Sequence, residues 1–517
     1  MKETEILRPT DNHVINLALD TINKNKQALV FVNSKRSAEK SAEDISKQIK
    51  NQDKQLDDLS EEILRALQRP TKQCERLAKC IKKGIAFHHA GLVSKQRELI
   101  ENSFRKGIIK IICSTPTLAL GVDLPAFRVI IKDLKRYGGP YGMAWIPVLE
   151  YLQQSGRAGR PSFDKYGESI AIASTEKEKD AIYENYILGE PEDIYSKLAV
   201  EPVLRTYLLS LIATEFVENK KEIISFFERT FWAHQYEDMK HLEGTIIRML
   251  NLLHKWKFIE MSIEDDFVSG DEILNDDVKA TILGKRVSEL YLDPLTANFI
   301  IECLKNVKKD TPDFAFLQMV AHTIEMRPLL RARVKEIEEI EEKLVEFNEQ
   351  LLEKEPDMFD TEYDDFINSI KTALFFKDWI EETDEESLLE KYNIRPGEIK
   401  YKLDNADWLL YAAEELSRIL KMQNVIKEIV KIRLRAKYGV KEELLALLKL
   451  KGIGRVRARK LYFNKIKTIG DVKKAELGTL VQILGRNVAL NVKEQVGQKF
   501  IKVKENKRKG QISLNDY

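Results

Sequence analysis

The segment Ile108-Ile-Lys-Ile-Ile-Cys-Ser-Thr-Pro-Thr-Leu-Ala-Leu-Gly-Val-Asp-Leu-Pro125 decides the fold of the amino-terminal part of the chain. Its first five residues are β-branched and apolar apart from one lysine, which predicts a short buried strand over 108–112. Hydroxyl residues, a glycine and a carboxylate follow at once. Loops at the carboxyl ends of parallel strands are where α/β sheets bind ligands, so a binding edge is expected here.

Three similar runs predict strands at 28–32, 129–131 and 169–173, with amphipathic helical stretches between them. Because strands alternate with helices, we expect an α/β domain with a parallel sheet over residues 1–190. After Pro191 the pattern becomes mostly helical. We interpret the rest as a winged-helix domain, a helical bundle, a helix-hairpin-helix-type domain and a flexible tail, over 191–292, 293–430, 431–504 and 505–517.

Length and composition bound the class of protein. At roughly 100–200 residues per domain, 517 residues predict several domains. No run reaches the roughly 18–20 apolar residues that span a bilayer, and no signal peptide is present, so a soluble, cytoplasmic protein without membrane contact is expected. The four cysteines form no CxxC pair, which argues against a zinc site or a disulfide framework, and no metal site is predicted.

The charge is distributed unevenly. The chain has 84 basic and 83 acidic residues, but residues 431–517 hold 23 basic and 7 acidic ones, a net of +16. Residues 1–430 therefore hold 61 basic and 76 acidic ones, a net of −15. The basic end predicts nucleic-acid contact.

The segment Gln153-Gln-Ser-Gly-Arg-Ala-Gly-Arg160 carries two arginines three residues apart among small residues. Guanidinium groups bind phosphate oxygens in a bidentate manner and stabilise the charge that develops during phosphoryl transfer. Taken alone, the segment leaves open that both arginines form surface salt bridges.

Four segments in order identify a family. Val30-Phe-Val-Asn-Ser34 and Phe87-His-His-Ala-Gly-Leu92 precede the loop after residue 112 and the arginine segment. Together they resemble the second RecA-like motor domain of superfamily-two helicases. The whole chain is similar to the Hjm-type DNA helicases of archaea, relatives of Ski-type RNA helicases and of the polymerase-theta helicase.

The resemblance implies roles for individual residues. Arg157 and Arg160 would be arginine fingers that reach ATP, and Gln153 would couple the nucleotide to DNA. Gly121 and Asp123 would lie near the ribose. The residues that would contact or position the nucleic-acid backbone are Ser34, Arg36, His89, Thr115 and Thr117.

A helicase motor also needs a phosphate-binding loop of the form Gly-x-x-x-x-Gly-Lys-Ser/Thr, which these 517 residues lack. The only Gly-Lys pair, Gly284-Lys285, is followed by Arg286. We therefore expect that the family's first motor domain is absent. ATP and Mg²⁺ would act in the complete enzyme, while this chain alone would bind ATP weakly and not hydrolyse it.

Residues 132–147 contain Gly138-Gly139 between aromatic flanks, which predicts a β-hairpin, with a plain connecting loop as the alternative. In the family a hairpin here parts the duplex, and Tyr137 and Tyr141 would then contact nucleic acid. The segment 399–411 resembles the family's pore helix, in which Trp408 would stack on a base and Tyr401 would lie two turns earlier. The residues alone leave a core tryptophan open.

The segment Leu450-Lys-Gly-Ile-Gly-Arg-Val-Arg-Ala-Arg-Lys-Leu461 has the Gly-x-Gly turn of a helix-hairpin-helix element, whose amides can hold a phosphate. Its expected nucleic-acid contacts are Gly452, Gly454, Arg455, Arg457 and Arg459. A plain helix connection is the alternative.

The last seven residues fit the pattern of a peptide that binds the PCNA sliding clamp, through Gln511, Leu514 and Tyr517.

The preferred interpretation is the carboxyl-terminal part of a monomeric, ATP-dependent, 3′-to-5′ DNA helicase that unwinds branched or forked DNA in replication restart and repair. Its partners would be single-stranded and forked DNA. The alternatives are a non-catalytic nucleic-acid-binding module and an RNA helicase relative, because DNA over RNA depends on the resemblance alone.

Overall fold

The computed structural model describes residues 5–50, 53–67, 69–137, 142–160, 164–236, 239–261, 277–347 and 350–498. Contacts divide the chain into two compact units. The first comprises Met1–Ser196 together with Asn393–Tyr401, and the second comprises Lys197–Tyr392 together with Lys402–Tyr517.

Among the described residues of the first unit, seven strands occur, in chain order β1 Ala28–Phe31, β2 Ile85–His88, β3 Ile111–Ser114, β4 Arg128–Ile131, β5 Lys135–Tyr137, β6 Met143–Trp145 and β7 Glu168–Ala171. Five of them form a parallel sheet in the order β2-β3-β1-β4-β7. Every residue of β1 to β4 is buried. Since successive residues face opposite sides, both faces of the sheet are covered, which confirms the predicted α/β domain.

The α-helices that the structure describes beside these strands are α1 His13–Asn23, α2 Lys35–Ser46, α3 Lys54–Arg65, α4 Lys72–Ile81, α5 Ser94–Arg105, α6 Thr117–Gly121, α7 Val148–Ser155 and α8 Glu176–Ile182. Polar side chains fix where several of them begin. Asn12, Ser34 and Thr71 each accept hydrogen bonds from backbone N–H groups of the first turn of α1, α2 and α4.

Two strands differ from the prediction. The strand β2 was not predicted, because its sequence Ile85-Ala-Phe-His88 holds one β-branched residue and ends in a histidine. The strand predicted at 108–112 begins only at Ile111. The backbone N–H groups of Ile108 and Ile109 donate to the Ser103 carbonyl, which holds these residues in the turn after α5.

The predicted hairpin is confirmed. β5 pairs antiparallel with β6, with Lys135 opposite Trp145 and Tyr137 opposite Met143. The Lys135 ammonium group lies 4.1 Å from the centre of the Trp145 ring, a cation–π contact that ties the two strands together. Tyr141 lies outside the described residues.

The second unit is mostly helical. Its first part holds α9 Glu201–Ala213, α10 Lys220–Glu228, α11 Phe231–Tyr236, α12 Met239–Lys255, β8 Ile259–Met261, β9 Val278–Ala280 and α13 Ile282–Glu289. The strands β8 and β9 pair antiparallel. The strand β9 ends at Ala280, because Thr281 caps α13 by accepting a hydrogen bond from the Gly284 N–H. The winged-helix assignment stays a prediction.

The remaining helices are α14 Pro294–Lys305, α15 Asp313–Ala321, α16 Val334–Phe347, α17 Tyr363–Ile380, α18 Glu385–Tyr392, α19 Pro396–Ile419, α20 Gln423–Tyr438, α21 Leu445–Leu448, α22 Arg455–Phe463, α23 Ile469–Lys474, α24 Leu477–Leu484 and α25 Arg486–Gln495. A separate apolar core begins at Val440 and ends at Val492. The boundary predicted at 430 falls inside α20. Among the described helices, none is both long and apolar enough to cross a membrane.

Candidate nucleotide and nucleic-acid interface

The carboxyl ends of β1, β2 and β3 meet at one edge of the parallel sheet. Phe31 lies opposite Ser114, and His88 also lies opposite Ser114, so the loops that follow these strands are neighbours. Ser34 and Thr115 lie in those loops. The sheet register therefore brings the predicted nucleic-acid residues of three separate sequence motifs to the same edge.

The hydroxyl and basic groups at this edge are accessible. Ser34, Arg36 and Thr117 are exposed, and the hydroxyls of Thr115 and Thr117 are 3.0 Å apart. The Ser34 hydroxyl accepts a hydrogen bond of 3.1 Å from the backbone N–H of Ser37 and keeps its own proton to donate. Such groups suit backbone phosphates, which they bind without selecting a sequence.

His89, in contrast, is completely buried. Its ring stacks on Phe87, and its Nδ1 accepts a hydrogen bond from the Gly91 N–H. Its Nε2 lies 3.2 Å from a carboxylate oxygen of Glu39, while burial lowers the pKa of the imidazole. His89 therefore supports the loop from inside, and of the two roles the resemblance allowed, only positioning matches this burial.

Arg157 lies beside the predicted ribose residues. Its guanidinium group donates to the Ala119 carbonyl in α6 through Nε, at 3.1 Å, and its Nη1 lies 3.4 Å from Asp123 Oδ1. The Asp123 side chain is 92% exposed, and a Cβ built on Gly121 would meet no atom within 4 Å. The structure thus brings Arg157, Asp123 and Gly121 together around an open surface.

Arg160 is held by the protein. Its Nε donates to Asp164 Oδ2 at 2.6 Å, and its Nη1 donates to Gln27 Oε1 at 2.7 Å. The Asp164 side chain is only 1% exposed and also pairs with Lys26. The hydrogen bond from Arg160 holds the pKa of Asp164 below its usual range. Sequence reasoning missed Asp164, because nothing in the neighbouring sequence indicates that its carboxylate is buried.

The backbone between these two arginines is tightly packed. We call Gly156–Arg160 the Arg157 turn. The N–H of Ala126 donates to the Arg157 carbonyl, and the Gly159 N–H donates to the Ala126 carbonyl. Gly159 has a φ of +97°, and a Cβ on Gly167 would lie 2.3 Å from the Gly159 nitrogen. Close backbone approach therefore fixes this turn. Gln153 lies half-buried on α7, one turn before it.

The two aromatic residues predicted on the pore helix differ in setting. Tyr401 is 49% exposed and belongs by its contacts to the first unit. Trp408 belongs to the second unit, is half-buried, and donates its indole N–H to the Leu290 carbonyl at 3.0 Å. Lys402 is buried and donates to the Pro328 carbonyl, which removes it from any nucleic-acid surface.

We call Leu450–Arg455 the Gly452 turn. It borders a shallow cavity of about 430 Å³. Gly452 has a φ of +88°, and a Cβ on Gly452 or Gly454 would meet nothing within 4 Å. Three amides of the turn are taken: the Leu450 N–H donates to the Leu447 carbonyl, the Lys451 N–H to Gln495 Oε1 at 2.7 Å, and the Ile453 N–H to the Leu450 carbonyl.

The three arginines of this element face different surroundings. Arg457 is exposed and donates to the Gly452 carbonyl. Arg455 lies 5.2 Å from the centre of the Trp379 ring and donates to the Thr383 carbonyl. Arg459 forms ion pairs of 2.6 Å and 2.9 Å, with Glu382 and Glu443. Only Arg457 among them presents its charge mainly to solvent.

The described part of the chain contains no group of three or more His, Cys, Asp or Glu side chains that could hold a metal ion. The predicted clamp-binding residues Gln511, Leu514 and Tyr517 lie outside the described residues.

Two family models match the chain. The model described as "Helicase conserved C-terminal domain" matches residues 10–162, which hold four of the five strands of the parallel sheet and the Arg157 turn. The model described as "Archaeal helicase, domain 4" matches residues 314–439, which hold the helix with Tyr401 and Trp408.

Relatives match over nearly the whole chain. The ATP-dependent DNA helicase Hel308 of Methanococcus vannielii is 38% identical over 525 residues, which cover 95% of this chain and 68% of that relative. Hel308 of Pyrococcus horikoshii is 37% identical over 504 residues, covering 96% and 67%. Hel308 of Caldivirga maquilingensis is 35% identical over 518 residues, with the same coverage. The chain therefore belongs to the Hel308 family of archaeal superfamily-two helicases.

Proposed function

We propose that this chain grips and moves single-stranded DNA as part of an ATP-dependent helicase that translocates 3′ to 5′ and unwinds branched or forked DNA. One observation carries the proposal. Arg157 donates to the Ala119 carbonyl in α6, and α6 begins at Thr117, which is exposed, so a group suited to a nucleotide and a group suited to a strand backbone adjoin the same short helix. Replication restart and repair are the processes such an enzyme would serve.

ATP fits the residues at the Arg157 turn. A guanidinium group that is 24% exposed can turn toward phosphate oxygens, and the exposed Asp123 carboxylate can accept hydrogen bonds from ribose hydroxyls. Arg160 would need to leave Asp164, or share it, to reach a phosphate. When bound, ATP supplies the phosphoryl transfer that drives the motor, with Mg²⁺ on its phosphates.

Because these 517 residues contain no phosphate-loop sequence, the chain alone is proposed to bind DNA without hydrolysing ATP. The decisive experiment titrates labelled single-stranded DNA and RNA of matched sequence against the pure chain at two salt concentrations. We expect DNA binding that weakens steeply with salt, since phosphate contacts release counterions. DNA-stimulated ATP hydrolysis by the pure chain, abolished by Arg160→Ala, would contradict the ATPase proposal.

Two other functions remain as candidates. Tighter binding of RNA than of DNA would favour an RNA helicase relative. If an added first motor domain restores no DNA-stimulated ATPase activity, a non-catalytic nucleic-acid-binding module is favoured.

The hairpin β5–β6 is proposed to part the duplex at a fork. An aromatic tip can stack on the last base pair, for about 1–3 kcal/mol per stacked base. Replacing residues 137–142 by a Gly-Ser linker, in the chain joined to a first motor domain, should abolish unwinding while DNA binding persists. The last seven residues are proposed to bind a sliding clamp, and a clamp titration against the chain with 511–517 deleted tests this.

A further inference from the structure

The segment Asn393–Tyr401 groups with the parallel-sheet unit, although more than 190 residues of the second unit precede it. Three contacts hold it there. Arg395 Nε lies 3.2 Å from Glu39 Oε1, Lys35 pairs with Glu398, and the Gly397 N–H donates to the Gly91 carbonyl at 3.1 Å. Each sheet-side partner adjoins a predicted nucleic-acid residue or lies in the loop that holds one.

Glu39 is the centre of this contact. Its side chain is only 5% exposed, and its carboxylate also accepts hydrogen bonds from Gln73 and Arg76, each at 2.8 Å. His89 approaches the same carboxylate to 3.2 Å. A buried carboxylate with four partners is costly to disturb, because removing one cation leaves its charge less compensated. We call Glu39, Gln73, Arg76, His89 and Arg395 the Glu39 cluster.

The backbone contact is equally close. A Cβ on Gly397 would lie 2.5 Å from the Ala90 carbonyl oxygen and 2.7 Å from that of Leu92. A Cβ on Gly91 would lie 2.4 Å from the Arg395 side chain. Glycine at both positions lets the first turn of α19 sit directly on the loop after β2.

The contact of α19 with the loop after β2 also sets the position of Tyr401. It lies three residues after Glu398, which places it one helical turn along the same side of α19. Glu398 pairs with Lys35, and Lys35 lies between Ser34 and Arg36 in the sequence. The exposed Tyr401 is thereby attached to the edge of the sheet that carries Arg36.

We propose that Arg395 is a positioning residue. Through the Glu39 cluster, and with the close contact of Gly397 on the loop after β2, it holds Tyr401 at the sheet edge that carries Arg36. Arg36 and Tyr401 then bind one DNA strand as a rigid pair. This inference rests on the proposed function, because it requires that the chain binds single-stranded DNA. In a rigid pair, binding at one contact raises the effective concentration at the other. Their effects on affinity are therefore not independent.

The test is a double-mutant cycle on the 517-residue chain. Anisotropy of a labelled oligo-dT strand gives the affinity of Arg36→Ala, Tyr401→Ala and the double variant, each with Arg395 intact and with Arg395→Met. With Arg395 intact, we expect the loss in the double variant to differ from the product of the single losses by about five-fold. With Arg395→Met, the loss of affinity in the double variant should agree with the product of the two single losses within about two-fold.

Matched variants separate positioning from stability. Arg65→Met removes an exposed pair with Glu61 in the same unit and should leave the coupling intact. Lys35→Met breaks the half-exposed pair with Glu398 and should weaken the coupling in part, so it replaces Arg395→Met if that variant does not fold. Hydrogen exchange at the Gly397 amide should quicken in Arg395→Met.

Independent losses in the chain with Arg395 intact, or coupling that survives Arg395→Met, would overturn the inference while leaving DNA binding in place. Failure of the unaltered chain to bind oligo-dT would refute the proposed function as well, so the two failures are distinguishable.

Discussion

The Arg157 turn and the Gly452 turn share a sequence signature, glycines beside arginines, yet they differ in how they are packed. The Arg157 turn is locked, since a Cβ on Gly167 would lie 2.3 Å from the Gly159 nitrogen. The Gly452 turn is open, with nothing within 4 Å of a Cβ on either of its glycines. In the first turn, close backbone packing requires glycine. In the second turn, the φ of +88° favours glycine at Gly452, while the open space around both glycines leaves room for a ligand.

Within each turn, the arginines differ in their contacts. In each turn one arginine has only a long carboxylate contact or a hydrogen bond to a backbone carbonyl, Arg157 or Arg457, while another forms short ion pairs, Arg160 with the buried Asp164 and Arg459 with the partly exposed Glu382. Glycine and arginine spacing locates a phosphate-facing turn, but it does not tell which arginine is available. That depends on carboxylates brought in by the fold.

The largest expected effect tests the packing contrast. Gly167→Ala should lower the free energy of unfolding by about 3 kcal/mol, because the backbone atoms of Ala158 and Gly159 cannot yield to the methyl group. Gly454→Ala, as the matched control in open space, should change it by less than about 0.5 kcal/mol. Urea denaturation of each variant measures both. Similar losses at the two positions would contradict the contrast.

The next effect separates the paired arginines of the first turn. Arg160→Ala should cost about 2 kcal/mol of stability, since Asp164 keeps only Lys26 as a cationic partner inside the protein. Arg157→Ala should cost less, about 1 kcal/mol, because it loses a hydrogen bond to the Ala119 carbonyl while its carboxylate contact is long and solvated. The melting temperatures of the two variants test this prediction. An equal fall in melting temperature would show that Arg157 also stabilises the fold.

A smaller effect applies to the basic end. Arg457→Met should weaken single-stranded DNA binding about five-fold and reduce the salt slope by about one, as expected for one lost phosphate contact. Arg459→Met should change affinity less than about two-fold and instead lower stability by about 1 kcal/mol, because Glu382 loses its partner. Affinity for single-stranded DNA measured at two salt concentrations tests this. A larger loss of affinity in Arg459→Met than in Arg457→Met would mean that Arg459 leaves Glu382 to bind DNA.

The smallest effect concerns pH. The pKa of Asp164 is lowered chiefly by the hydrogen bond from Arg160, so the folded state holds this carboxylate ionised more firmly than the unfolded state does. The resulting stability is present above the ordinary pKa of aspartate and is lost as the pH falls through the lowered pKa. Asp164→Asn should therefore flatten the fall in stability below about pH 4. The free energy of unfolding is measured by urea denaturation at several pH values. If its fall with decreasing pH is the same in Asp164→Asn as in the unaltered chain, Asp164 does not contribute to this pH dependence.

Much of the first unit could be predicted from local patterns. Clustered β-branched residues and the order of strands and helices indicated the parallel sheet, and paired glycines between aromatic flanks indicated the hairpin. The nucleic-acid role of Ser34, Thr115 and Thr117 came from the resemblance to the helicase family and stays a prediction. The strand β2 was missed and β3 was shifted, because hydrogen bonds from the loop after α5, rather than side-chain preference, decide where β3 begins.

By itself, the sequence determined the sheet, its binding edge and the two glycine–arginine turns, since each depends on residues near one another in the chain. Only the tertiary structure decided which side chains are available there. Asp164 and Glu382 bind Arg160 and Arg459, His89 is buried on Glu39, and Arg395 reaches Glu39 across 356 residues. Pairing of buried charges depends on distance in space, and no local pattern encodes that distance.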